Sequence, residues 1–120
     1  MSHMAINKDY RQIEVASEVE QSARTLAHST RDVPTPSDSY ALLGELGATV
    51  DHLEQVCRQL SQWHAAAREP EHFEGEDARG DGTGTATAAA QLDSASAALA
   101  TASAALMRAH AANGVVRWSA

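Results

Sequence analysis

Between Leu42 and His64 the large apolar residues fall on one side of a helical wheel. In heptads, Leu46, Leu53 and Leu60 hold position a, while Leu42, Thr49, Val56 and Trp63 hold d. Leu43, Val50, Cys57 and His64 follow at e. Apolar residues at spacings of three and four predict an amphipathic helix over about 39–68, and a stripe this wide is expected to meet more than one neighbour. Gly44, Gly47, Ala48, Asp51, Glu54 and Arg58 fall on the far side of that wheel.

A second heptad pattern runs over about 86–113. Leu92, Leu99 and Leu106 recur every seven residues, and Ala88, Ala95, Ala102 and Ala109 complete an a/d seam. Asp93 and Arg108 are the only Asp, Glu, Lys or Arg side chains in that span, so this helix is expected to bury more than one face. Asn113-Gly114 reads as a helix stop, with Gly114 left-handed and Val115 folded back on the last turn. A third, shorter pattern, Ile6, Tyr10, Ile13, Ala16, Val19, Ala23 and Leu26, predicts a helix over about 9–30, capped by Asn7 or Asp9. Glu20 and Arg24 form a favourable pair on it, whereas Glu14 and Glu18 repel.

Two stretches interrupt the periodicity. RDVPTPSDS, residues 31–39, holds two prolines that bias Val33 and Thr35 to extended backbone, after which Ser37 or Ser39 can cap the next helix. EPEHFEGEDARGDGTGT, residues 69–85, carries six acids between Glu69 and Asp81 against Arg79 alone, together with four glycines. Such a composition predicts a mobile acidic loop. The expected architecture is therefore all-α: a long antiparallel hairpin (about 39–68 and 86–113) with an N-terminal helix (about 9–30). It closes either as a three-helix bundle or, by pairing hairpins, as a dimeric four-helix bundle. Residues 9–120 form one expected domain. Residues 1–8 read as a disordered start in which Met1-Ser2-His3-Met4 is a cloning scar.

Composition narrows the function. The chain has 120 residues, 43% hydrophobic but with five aromatics, so a core made by close helix approach is expected rather than a deep small-molecule pocket. A net charge of -7 without a Lys/Arg cluster argues against direct nucleic-acid binding and against anionic membrane surfaces. No apolar run approaches a bilayer span and no signal peptide is recognisable, so a soluble, cytoplasmic protein is expected. The single cysteine, Cys57, excludes an internal disulfide and is expected to be a buried, inert thiol.

Candidate chemistry is sparse. In DARGDGTGTATA, Asp77, Asp81 and Gly82 match places one, five and six of a calcium loop, but Arg79 and Ala88 occupy places that need ligands. The same glycines lack the Gly-Lys-Ser/Thr of a phosphate cradle. Cys57 and His64 share a helix face and His110 could join them, yet no zinc motif supports a metal site. There is no nucleophile elbow, and paired carboxylates occur only in the acidic loop, where nothing holds an acid and a base in register. Neither an enzyme nor a cofactor is expected.

What remains are surfaces. Ala41, Gly44, Gly47 and Ala48 make a small-residue patch, with both glycines in outward f and b positions, where another backbone could approach closely. That approach would come either from a partner or from the first helix of the same chain; alternatively, both glycines simply lie near the helix start, where glycine costs less. Phe73, alone among acids, either anchors the loop on a basic partner or tucks near Trp63. Trp118 is expected to pack near Tyr40 and Leu26. Trp63-His64-Ala65 resembles the WxG-type small secreted helical hairpins, which carry a tryptophan and a glycine at a tight turn and work as dimers. Here alanine replaces the glycine, a long acidic loop replaces the turn, and a first helix is added. The expected function is a non-enzymatic, self-associating helical interaction module whose partner is protein. Two alternatives stand beside it: a regulatory accessory protein of a nucleoprotein complex whose acidic loop binds a basic partner, and a secreted WxG-like hairpin.

Overall fold

The computed structural model describes residues 11–66 and 83–116, and every described element is an α-helix. In chain order these are α1 (Gln12–Ser29), α2 (Pro36–Ala65) and α3 (Gly84–Asn113). The fold is all-α, as the hydrophobic periods predict. The chain divides into two compact units, residues 1–35 and 36–120. The expectations for residues 1–8, for Phe73, for Trp118 and for nearly all of the acidic loop lie outside the described residues.

α1 is a surface-type helix held by local pairs. Arg24 chelates Glu20 at 2.8 Å, the predicted i,i+4 pair. Glu14 and Glu18 do not simply repel, because Arg11 bridges them at 2.9 and 3.7 Å. Arg11, rather than Asn7 or Asp9, occupies the cap position, and its side chain makes no capping bond. At the other end the Thr30 N–H and hydroxyl both donate to the Leu26 carbonyl at 2.9 Å, closing the last turn.

α2 begins three residues before the predicted start. Pro36 fits a first helical turn because its fixed φ suits the helix and its missing N–H would have no partner there. Ser39 is consequently inside the helix and does not cap it. Its hydroxyl instead donates to Asn113 Oδ1 at 2.5 Å, while Asn113 Nδ2 donates to the Pro36 carbonyl at 3.0 Å. One side chain at the end of α3 thus ties down the first turn of α2, and the two helices run antiparallel as predicted.

The end of α3 differs from expectation. Gly114 has φ -60° and ψ -19°, still right-handed, and its N–H donates to the His110 carbonyl at 3.0 Å. Val115 is 77% exposed and does not fold back. Space favours the glycine: a Cβ there would lie 3.2 Å from both Tyr40 Cε1 and the Ala111 carbonyl oxygen, closer than ordinary contact. Tyr40 also stacks on His110, with centroids 3.9 Å apart.

The most consequential correction concerns which face of α2 meets α3. A Cβ on Gly44 would lie 3.3 Å from His110 Nε2, and one on Gly47 would lie 3.3 Å from Met107 Sδ. Gly47 is buried. The two glycines therefore do not point outward, and α3 occupies the ground beside them. Close helix approach explains residues that each cost roughly 0.8–1.0 kcal/mol in helix propensity relative to alanine.

The two positions should respond differently to alanine. Met107 is flexible and half-exposed, so Gly47→Ala should keep or raise the thermal midpoint as propensity is regained. At position 44 the obstructing atom belongs to a ring fixed by stacking on Tyr40, so Gly44→Ala should melt lower than Gly47→Ala. A higher midpoint for Gly44→Ala would contradict the packing.

Candidate interaction surface

The contact between α2 and α3 is built from small and polar residues in matching heptad lines. Tyr40, Gly47, Glu54 and Ser61 face α3; His110, Ser103, Ser96 and Ala89 face back. Four residues of the hairpin are buried, Gly47, Ser61, Ala89 and Ser103, and all belong to these lines. Every buried hydroxyl finds a partner, as burial demands. Ser103 donates to Asp51 Oδ1 at 2.5 Å, and Ser96 donates to Glu54 Oε2 at 2.5 Å. Ser61 lies 2.5 Å from Asp93 Oδ1 and 3.0 Å from the Ala89 carbonyl, its one proton shared between them.

This polar ladder sets the electrostatics of the seam. Glu54 is bonded from both sides, by Ser96 across the seam and by Arg58 along its own helix at 3.2 Å. The Ser96 hydrogen bond, then the Arg58 hydrogen bond, hold the Glu54 carboxyl below the usual carboxylate range; burial opposes them and the Arg58 charge adds to them. Asp51, Glu54 and Arg58, placed by sequence on the far side of α2, are in fact at or beside the contact with α3.

With the small face taken, the wide apolar stripe is displaced roughly 100° round α2 from the line facing α3. Its members are incompletely covered. Leu53 is 38% exposed, Leu60 45%, Val56 49% and Trp63 52%, while Leu42, Leu43, Leu46, Val50 and Cys57 are half-buried. The Cys57 thiol is thus not the fully buried group expected. On α3, Leu92, Leu99 and Leu106 are half-buried, as are Ala88 and Ala95, whereas Ala102 and Ala109 are exposed.

These apolar residues of the two helices share one side of the hairpin. Leu46, Leu53 and Leu60 each precede a contact residue of α2 by one position, and Ala88, Ala95, Ala102 and Ala109 do the same on α3. In an antiparallel pair, equal rotations in the same sense bring residues to the same side of the contact plane. Leu92, Leu99 and Leu106, four positions before contact residues, lie on that side also. No described residue of the hairpin is a fully buried large side chain; the hydrophobic core consists of Ala89.

The other predicted site residues separate. Ala41 and Ala48 are exposed on α2, and Gly44 and Gly47 are inside the hairpin contact. Cys57, His64 and His110 are not brought together: His110 stacks on Tyr40 near the start of α2, and His64 sits in the last turn of α2. Among the described residues there is no group of three or more His, Cys, Asp or Glu able to hold a metal ion. His64 Nδ1 is buried without a hydrogen-bond partner, beside the Trp63 ring at 4.9 Å. Trp63, His64 and Ala65 are the last three residues of α2, not a tight turn. No described helix is long and apolar enough to cross a membrane. No family model, curated protein or solved structure matches the chain.

Two substitutions examine the ladder. Ser103→Ala should cost about 1 kcal/mol in urea unfolding, since it removes a buried hydrogen bond to a carboxylate that regains water. For Glu54 the folded pKa lies below the unfolded one, so its contribution is present above the ordinary glutamate value of about 4.3 and is lost as pH falls through the folded value. Ser96→Ala should therefore flatten the acid limb of the melting temperature below about pH 4.5 relative to the parent. An unchanged acid limb would show that Ser96 does not hold the Glu54 charge.

Proposed function

We propose that the protein is a helical interaction module that self-associates, with function carried by packing surfaces rather than by a reacting group. The observation that carries this reading is the uncovered apolar side of the hairpin. A 30-residue helix rich in leucine ordinarily secures its stability by burying its stripe, because propensity alone leaves isolated helices marginal. Here Leu53, Val56, Leu60 and Trp63 all keep more than a third of their surface in water. A contiguous apolar area of this kind supports a role in contact with another surface.

Several features agree with a protein partner rather than a small ligand or a nucleic acid. The apolar side is a long, open face without a charged group to orient a substrate. The chain as a whole is acidic, which opposes phosphate backbones.

Sedimentation equilibrium of the full chain tests the proposal. The mass of one chain is 12.7 kDa, and the particle at tens of micromolar should have about twice that mass, falling on dilution. Val56→Glu and Leu60→Glu should each return the chain to a monomer while its helical circular dichroism is retained. A monomer for the parent at all concentrations, or assembly unaffected by either glutamate, would overturn it.

A further inference from the structure

We infer that the occupant of the apolar side is a second copy of this chain, docked antiparallel, so that the end of one hairpin where α2 stops and α3 starts lies beside the opposite end of the other in a four-helix assembly. This rests on the self-association through the apolar side proposed above and adds the direction in which the second copy docks.

Size is the first argument. Each helix of the hairpin has 30 residues and is therefore about 45 Å long, and two such helices side by side present a face about 20 Å wide. Two copies meeting on that face would bury about 1,800 Å² in total, the size of a stable, specific interface. Composition is the second. On α2 the a, d and e positions from Leu42 to Trp63 contain no Asp, Glu, Lys or Arg, and the apolar edge of α3 is leucine and alanine. A two-fold contact presents the same patch to itself, so an uncharged patch meets no like-charge penalty in a chain whose net charge is -7. The exposed Ala102 and Ala109 let a helix of the second copy approach closely, much as Ala89 does within the hairpin.

Charge then sets the direction. α2 ends and α3 begins at the same end of the hairpin, joined by residues 67–82, and the stretch from Glu69 to Asp81 holds six acids against one arginine. Parallel docking would bring together the two helix ends between which these acids fall in the sequence. Antiparallel docking separates them by about a helix length, 45 Å, many times the Debye length of about 8 Å at physiological salt. At the opposite end of the hairpin Arg108 lies in the last turns of α3. Asp38 is the acid on α2 at that end.

The test uses spin labels on the full chain in a Cys57→Ala background. Electron–electron distances are measured for Gln62→Cys, near the end of α2, and for Ala48→Cys, near its middle, after sedimentation has established that each variant assembles. Both positions follow a contact residue by one and so lie on the side of the hairpin away from the second copy; position 62 is about 12 residues from the helix midpoint, so antiparallel docking puts its labels about 40 Å apart, against about 27 Å at position 48. A distance at position 62 as short as that at position 48 would overturn the antiparallel arrangement and leave self-association intact. A monomer, with no intermolecular distance at either position, would overturn both. A particle larger than two copies would overturn the two-fold face.

Discussion

The structure depends on one close approach. Along the line of Tyr40, Gly47, Glu54 and Ser61 the α2 backbone lets α3 come near enough that a single added carbon at Gly44 or Gly47 would press on His110 or Met107. Small residues make that distance possible, but they bury little apolar surface. Hydrogen bonds from Ser61, Ser96 and Ser103 to carboxylates on the facing helix supply what the small residues cannot. Each hydroxyl has its acceptor at one height only, so the ladder fixes register as well as contributing stability. Asn113, bonded to both Ser39 and the Pro36 carbonyl, fixes the end of the same register.

Everything else about the hairpin follows from that choice of face. Because α3 takes the small face of α2, the leucine stripe cannot also point at α3, and it is left along one edge with Leu92, Leu99 and Leu106 beside it. The seam and the open side are chemically distinct, one polar and narrow, the other apolar and broad, so a substitution on one need not disturb the other.

The elements were legible in the sequence because large apolar residues keep a period of three and four wherever a helix has a face to bury. Leu46, Leu53 and Leu60 mark α2, and Leu92, Leu99 and Leu106 mark α3, with bounds that shift by two or three residues where Pro36 and Gly84 open their helices. The pairing of faces was not legible by that signal. Gly47 and Ser61, with Ala89 and Ser103, weigh almost nothing on a hydrophobic scale, yet they recur at heptad spacing opposite one another, as do Glu54 and Ser96. A search for small and hydroxyl-bearing residues at that period, with carboxylates on the facing helix, would have found the contact. Gly114 misled for a related reason: it answers to the neighbouring ring of Tyr40 and not to its own backbone angles.

The measurement that bears most directly on this account is intramolecular disulfide formation between engineered pairs in a Cys57→Ala background. Gly47→Cys with Met107→Cys joins two positions that face each other in the seam, whereas Val56→Cys with Ser96→Cys joins positions at the same height with Val56 turned to the opposite side of α2. Oxidation should close the first pair within one chain quickly and leave the second open. If the second pair closes and the first does not, the leucine stripe and not the small polar face meets α3, and the open apolar side does not exist.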